Sequence, residues 1–116
     1  MPTIAESTTG QVNERHGNAF QTIVTEATTA RTVGASDLGA LIYSTAAGAT
    51  TVTIPESTAT AGKVFPIGSW FEVQSKGAGG VTVAKTGSDT LTGTATLTTG
   101  VRKKVIKVAA TEWAIA

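Results

Sequence analysis

Apolar and small polar residues alternate with a period of two along most of the chain after residue 19. The clearest segments are Asp37-Leu-Gly-Ala-Leu-Ile-Tyr43, Thr51-Val-Thr-Ile-Pro55, Phe65-Pro-Ile-Gly-Ser-Trp-Phe-Glu-Val73 and Gly77-Ala-Gly-Gly-Val-Thr-Val83. Alternation of this kind places successive side chains on opposite faces of a strand, and the intervening Gly and Pro residues mark turns. The pattern therefore predicts half-buried β-strands joined by tight connections.

The alternation and its interruptions predict a succession of short strands. They cover residues 20–26, 40–44, 49–54, 69–75, 81–85, 101–109 and 112–115, with weaker stretches at Leu91 and at 94–98. We expect a tight or short helical turn at 36–39, and hairpin loops at 45–48 and at 77–80. Reversals about every ten residues, without a clear amphipathic helix, favour an all-β fold. We predict an antiparallel β-sandwich, jelly-roll-like or a small barrel.

Residues 1–19 are polar and mixed, and they follow neither a helical nor a strand period. A segment of this composition buries too little apolar surface to offset the entropy of ordering it by itself. We therefore divide the chain into an N-terminal arm at 1–19 and a β-sandwich domain at 20–116.

Composition limits what the domain can do alone. The chain of 116 residues has 29 large apolar residues, 23 threonines and no cysteine. Its core is thin, so burial against a partner or a second subunit is a natural source of stability. A net charge of +1 provides no strong field for nucleic acid or an anionic membrane. Residues 1–6 lack the features of a signal peptide, so we expect a soluble chain that folds in the cytoplasm.

The residue types that catalysis requires are sparse. His16 is the only histidine, and it lies in the arm, which disfavours a nucleophilic triad and a zinc site. Four carboxylates are scattered through turns and strand ends, at Asp37, Glu72, Asp89 and Glu112. The glycine-rich run 77–80 lacks the Lys-Ser/Thr of a P-loop and precedes a strand. We expect neither an enzyme nor a metal or other cofactor.

Two features could bind a partner. Arg102, Lys103, Lys104 and Lys107 lie on one predicted strand, where they either solubilise a sheet edge or dock on an acidic surface. Trp70 and Phe71 are neighbours and must point to opposite faces, so Trp70 is either an interface anchor or a platform for a sugar. Trp113 with Ile115 is more simply assigned to the core.

The order of these segments resembles a β-module of structural proteins of tailed bacteriophages. The shared order is an Asp-x-Gly-x-Leu-Ile stretch, Thr-Val-Thr-Ile-Pro, Phe-Pro-x-Gly, Gly-Ala-Gly with Val-Thr-Val, and Ile-Lys-Val followed by Glu-Trp, between Asp37 and Trp113. The resemblance covers about two thirds of the chain. It implies a role in structure or adhesion, on tail fibres or as a capsid decoration (cement) protein, and carries over no catalytic residue. No fibre shaft or heptad repeat is evident in this chain, which favours a free-standing accessory protein.

The resemblance leads to a specific expectation. The protein is made in the host cytoplasm and binds the major capsid protein on the outer surface of the assembled head, as a homo-oligomer that we expect to be a trimer. The alternatives are a tail-fibre or baseplate accessory protein and a carbohydrate-binding module. We expect the contacts with partners at Thr3, Ile4, Val12, Arg15, His16, Trp70, Lys103 and Lys107.

Overall fold

A computed structural model describes residues 20–56 and 65–116. These residues form ten strands: β1 (Ile23–Glu26), β2 (Ala30–Thr32), β3 (Leu41–Ser44), β4 (Thr50–Ile54), β5 (Trp70–Ser75), β6 (Val81–Lys85), β7 (Thr90–Thr92), β8 (Thr96–Leu97), β9 (Arg102–Ala109) and β10 (Glu112–Ile115). A short 3-10 turn at Ala35–Asp37 precedes β3. The predicted all-β sandwich is confirmed, while β2 was not predicted because Ala-Arg-Thr contains no large apolar residue.

The strands form two mixed sheets that pack against each other. The large sheet has the order β1-β3-β5-β9-β10-β7, and the small sheet has the order β2-β4-β6-β8. The pairs β1–β3, β3–β5, β2–β4, β4–β6 and β7–β10 are parallel, whereas β5–β9, β9–β10 and β6–β8 are antiparallel. The purely antiparallel arrangement expected from the sequence is therefore replaced by a mixed one.

The first six strands alternate between the sheets, so the two predicted hairpin loops are arches from one sheet to the other. The loop 45–49 leads from β3 in the large sheet to β4 in the small sheet, and the loop 76–80 does the same from β5 to β6. Hairpins and arches both need a reversal rich in small residues, so turn composition cannot distinguish them. Parallel pairing follows, because each arch lies beside the preceding one in the same orientation.

The two arches are successive copies of one structural unit. Leu41 pairs with Glu72 and Thr51 pairs with Thr82, so both strands of the second arch follow those of the first at the same interval of 31 residues. The sequence analysis missed this repeat, although five residues of the first copy recur in the second: Ser44, Ala47, Gly48, Thr51 and Val52 correspond to Ser75, Ala78, Gly79, Thr82 and Val83. Stacking of such units buries the faces that a single arch leaves exposed.

Two glycines allow the second arch to approach the first. A Cβ atom at Gly77 would lie 1.7 Å from the carbonyl oxygen of Ala46, and one at Gly79 would lie 2.2 Å from the carbonyl carbon of Gly48. Among Gly77, Gly79 and Gly80, only Gly80 has a positive φ angle, at 75°. The other two are required by close backbone contact.

The core lies between the sheets, where the inward residues of both meet. Phe71 and Trp113 are almost completely buried, with ring centroids 6.0 Å apart, and Phe65 meets Trp113 edge-on at 6.2 Å. Val52 and Ile54 point inward, and β4 ends before Pro55. The assignment of Trp113 and Ile115 to the core is confirmed.

Charged groups cover the end of the core at the edge strands β1 and β2. The Arg31 guanidinium contacts Glu26 at 2.9 Å and Asp37 at 2.6 Å, and Asp37 also accepts the Gly34 N–H at 3.0 Å. A hydrogen bond from the Thr28 hydroxyl, together with Arg31, holds the pKa of Glu26 below its ordinary value. Inward-pointing charges on edge strands discourage the addition of further strands.

Candidate interaction face

The outward residues of the large sheet form a surface that we call the outer face. Side chains at alternate positions of its strands point away from the core. The outer face comprises Ile23, Thr25, Leu41, Tyr43, Trp70, Glu72, Gln74, Thr90, Thr92, Arg102, Lys104, Ile106, Val108, Glu112 and Ala114.

Large apolar side chains are exposed on the outer face and in the segments before β1 and β5. Ile23 is 53% exposed and Val108 is 48% exposed on the sheet, while Phe20 before β1 and Ile67 before β5 are 65% and 63% exposed. Single exposed apolar residues are normal on protein surfaces, but a group gathered at one sheet suggests a contact surface.

Trp70 lies near the centre of the outer face. It is half-buried, and it pairs across the strands with Ile106. The Lys104 ammonium lies 4.4 Å from the centroid of the Trp70 ring, which places a cation over one face of the indole. A sugar would have to displace this lysine from the ring face, so the geometry favours Trp70 as part of a protein contact over Trp70 as a sugar platform.

A polar cluster adjoins Trp70 on the side where the chain enters the fold. Glu72 accepts hydrogen bonds of 2.8 Å from Arg102 and from the Gln21 side chain, and Arg102 also donates to Gln21 at 2.8 Å. Arg102, with help from Gln21, lowers the pKa of Glu72 below its ordinary value. These contacts fix Gln21, just before β1, against the outer face.

The basic residues of β9 divide between the two sides of the sheet. Arg102 and Lys104 point outward, whereas Lys103 pairs with Val73 on the inward side. Lys107 is 3% exposed and donates a 2.7 Å hydrogen bond to the Phe65 carbonyl. The assignment of Lys107 to partner binding is therefore wrong, because its side chain is buried and its ammonium group is hydrogen-bonded to the Phe65 carbonyl.

The interpretation of β9 as a solubilised edge strand is also wrong. β9 lies between β5 and β10, so its backbone is paired on both sides. Period two correctly separates Lys103 and Lys107 from Ile106 and Val108, but the alternation does not say which side is buried. The ammonium of Lys107 reaches a carbonyl at the end of the core, a long-range contact that no local pattern indicates.

Other expected partner-binding residues fall beyond the part of the chain that the structure describes. They are Thr3, Ile4, Val12, Arg15 and His16, and the boundary of the N-terminal arm lies there as well. Of the expected contacts within the described ranges, Trp70 is on the outer face and Lys103 lies half-buried on the opposite side of the sheet. The sequence analysis did not name Phe20, Ile23, Ile106 and Val108 as surface residues, because alternation alone does not say which side of a strand is buried.

The outer side of the small sheet is different in character. Its outward positions contain only threonine and alanine: Ala30, Thr32, Thr51, Thr53, Thr82, Ala84 and Thr96. Threonine presents a hydroxyl and a small methyl group to solvent, and it favours strands without adding charge. The two outer surfaces of the sandwich thus differ, and only the large sheet presents large apolar side chains outward.

A groove lies between the loop 76–80 and β8. An open groove of about 190 Å³ between residues 78–82 and 96–99 is lined by glycine, alanine, valine, leucine and threonine, without an acid or a base. No group of three or more potential metal ligands occurs in residues 20–56 and 65–116. Within the same ranges, no helix is long and apolar enough to cross a membrane.

Comparisons with known proteins add no relative. No protein-family model matches the chain, and no curated protein or solved structure is detectably similar to it.

Proposed function

We propose that the protein is a virion structural protein of a tailed bacteriophage that binds the outer surface of the assembled head and stabilises it. One observation supports this proposal most: the large sheet exposes large apolar side chains outward, while the outward positions of the small sheet hold only threonine and alanine. Such a molecule is suited to adhesion through one surface. The resemblance of the segments from Asp37 to Trp113 to phage β-modules supplies the context.

The proposed contacts are made by two parts of the chain. Residues 1–19 contact the capsid, and the β-sandwich supplies contacts between copies of the protein. Gln21, close to the proposed boundary of the arm, is held beside Glu72 on the outer face by a 2.8 Å hydrogen bond. The partner is the major capsid protein, and the protein acts without a cofactor.

Stabilisation follows from linkage. A protein that binds the assembled shell, but not free capsid subunits, favours assembly by an amount that grows with its concentration relative to Kd. At a free concentration of 100 times Kd, each occupied site contributes about 2.7 kcal/mol. Protein bound at many sites on one shell would help the shell withstand the internal pressure of packaged DNA.

The test uses heads of the phage that encodes the chain, prepared without this protein. Added protein should co-sediment with these heads and raise the temperature at which they release DNA. Simultaneous replacement of Ile4, Val12 and Arg15 by alanine should weaken binding, whereas Thr51→Ala on the small sheet should not. Absence of binding to heads, together with binding to purified tails, would instead support the tail-fibre or baseplate assignment.

A further inference from the structure

We infer that β1 and β2 form a terminal arch that polar contacts hold closed and that opens as a unit in acid, while the rest of the sandwich stays folded. This arch comprises residues 23–32, in which the turn 27–29 joins an edge strand of the large sheet to an edge strand of the small sheet. Among the described residues, each of its strands pairs with one neighbour, β3 or β4. The inference goes beyond the proposed function and does not depend on it.

The terminal arch contributes little apolar surface to the core. Ile23 is 53% exposed, Val24 is half-buried, and no residue of the arch belongs to the buried apolar cluster between the sheets. The one buried side chain among residues 23–32 is that of Glu26. The other end of the small sheet differs, because Leu97 of β8 is fully buried. Segments with few buried apolar contacts open locally at a lower free energy than the core does.

Polar contacts on the inner side join the terminal arch to the rest of the sandwich. Arg31 on β2 donates hydrogen bonds of 2.6 Å and 3.2 Å to Asp37 in the 3-10 turn before β3. The same guanidinium contacts Glu26 on β1 at 2.9 Å, and Glu26 also accepts the Thr28 N–H at 3.0 Å. This cluster therefore connects the two strands of the arch to each other and to the turn that follows them.

A second set of polar contacts holds Gln21, just before β1, on the outer face. Its side-chain amide donates to Glu72 at 2.8 Å and to the Gly39 carbonyl at 3.3 Å, and its side-chain oxygen accepts from Arg102 at 2.8 Å. Each of the two sets includes a carboxylate, Glu26 or Glu72, that forms an ion pair with an arginine only while it is ionised. The terminal arch is thus held on both of its faces by contacts that depend on charge.

Glu26 makes the inner contacts sensitive to pH. A hydrogen bond from the Thr28 hydroxyl, together with Arg31, holds the pKa of Glu26 below its ordinary value. Asp37 shares the guanidinium with Glu26, and Thr45, a neutral residue between β3 and β4, donates its N–H to the Glu26 main-chain carbonyl. Protonation of Glu26 therefore leaves Arg31 with one carboxylate partner in place of two.

Glu72 makes the outer contacts sensitive to pH in the same direction. Arg102, together with Gln21, lowers the pKa of Glu72, and Lys104 on the same strand as Arg102 adds to this effect. Because both pKa values are lowered in the folded state, Glu26 and Glu72 support the closed arch above their ordinary value of 4.5. This support is lost as pH falls through the lowered pKa values, so the arch opens in acid.

Hydrogen exchange of the full chain, followed for single amides by NMR at about pH 7 and about pH 3.5, tests the inference. Protection factors are corrected for the intrinsic exchange rate at each pH. The N–H groups of Thr45 and Thr51 donate to carbonyls of the terminal arch, so their protection should fall about tenfold or more in acid. The N–H groups of Val83 and Lys107 bond within the rest of the sandwich, and their protection should change by less than about threefold.

Substitutions separate the charge of the carboxylates from other effects of acid. Glu26→Gln removes the inner carboxylate, so it should lower the protection of Thr45 and Thr51 about tenfold without acid. Glu112→Gln on β10, four strands from β1, is the matched control and should change neither amide. Glu72→Gln, which acts on the outer contacts, takes the place of Glu26→Gln if that variant does not fold. Unchanged protection of Thr45 and Thr51 in acid, or an equal loss at the amides of the core, overturns the inference.

Discussion

Replacing Gly77 by alanine tests the stacked arches on which the fold depends. The new Cβ atom would lie 1.7 Å from the Ala46 carbonyl oxygen, whereas real Cβ contacts are essentially never shorter than 3.0 Å. The arches would have to separate by about 1.3 Å, since both contacting groups belong to the backbone and no side chain can rotate away. The variant therefore acts on the stacking itself.

The expected cost follows from the bonds that this separation breaks. The N–H groups of Lys76 and Gly77 both donate to the Ser44 carbonyl, at 2.8 Å and 3.2 Å, and both contacts would exceed hydrogen-bond distance. Two lost backbone hydrogen bonds cost about 1–3 kcal/mol, and disturbed packing beneath the arch adds about 1 kcal/mol or more. We expect Gly77→Ala to lower the free energy of unfolding by about 3 kcal/mol.

Urea denaturation followed by circular dichroism measures this change. With a denaturant dependence of about 1.5 kcal/mol per molar urea, 3 kcal/mol shifts the midpoint by about 2 M. Gly34→Ala is the matched control, because no atom lies within 4 Å of its added Cβ and its φ of −115° suits alanine. If both variants unfold within about 0.5 kcal/mol of the natural chain, the stacking described for residues 45–49 and 76–80 is wrong.

Two further perturbations test the buried charges. Lys107→Ala should destabilise the protein by about 2 kcal/mol, because it leaves the buried Phe65 carbonyl without its hydrogen-bond donor. The control is Lys85→Ala at an exposed site, which should change the free energy of unfolding by less than about 0.5 kcal/mol. Equal effects of the two substitutions would contradict the buried contact. The Thr28 hydroxyl, together with Arg31, lowers the pKa of Glu26 below its ordinary value near 4.5. Its contribution to stability is therefore present above that value and is lost as pH falls through the lowered pKa. Glu26→Gln should reduce the acid-induced loss of stability in urea titrations, and an unchanged pH dependence would refute this assignment.

The sequence predicted strand positions well where alternation was strong. Val81–Lys85 and Glu112–Ile115 have the predicted bounds, and the opposite orientations of Trp70 and Phe71 follow from the same period. These features are local, because the backbone of a single strand determines where its side chains point. Pro55 ends β4 and Gly68 lies in the turn before β5, and both effects are local ones that follow from the residue type.

Features that depend on distant segments were not predictable in the same way. Whether residues 45–49 form a hairpin or an arch depends on which sheet receives β4, and this depends on packing between strands far apart in the chain. The burial of Lys107 depends on the Phe65 carbonyl, 42 residues away. The outer face needs strands from β1 to β10 side by side, so its apolar residues become one surface only in the folded protein.

The central claim is that the protein decorates the assembled head. Immunogold electron microscopy of purified virions, with antibodies raised against the full chain, tests it most directly. The account predicts label distributed over the head surface and absent from tails. Label confined to tails, or virions without the protein, would contradict it.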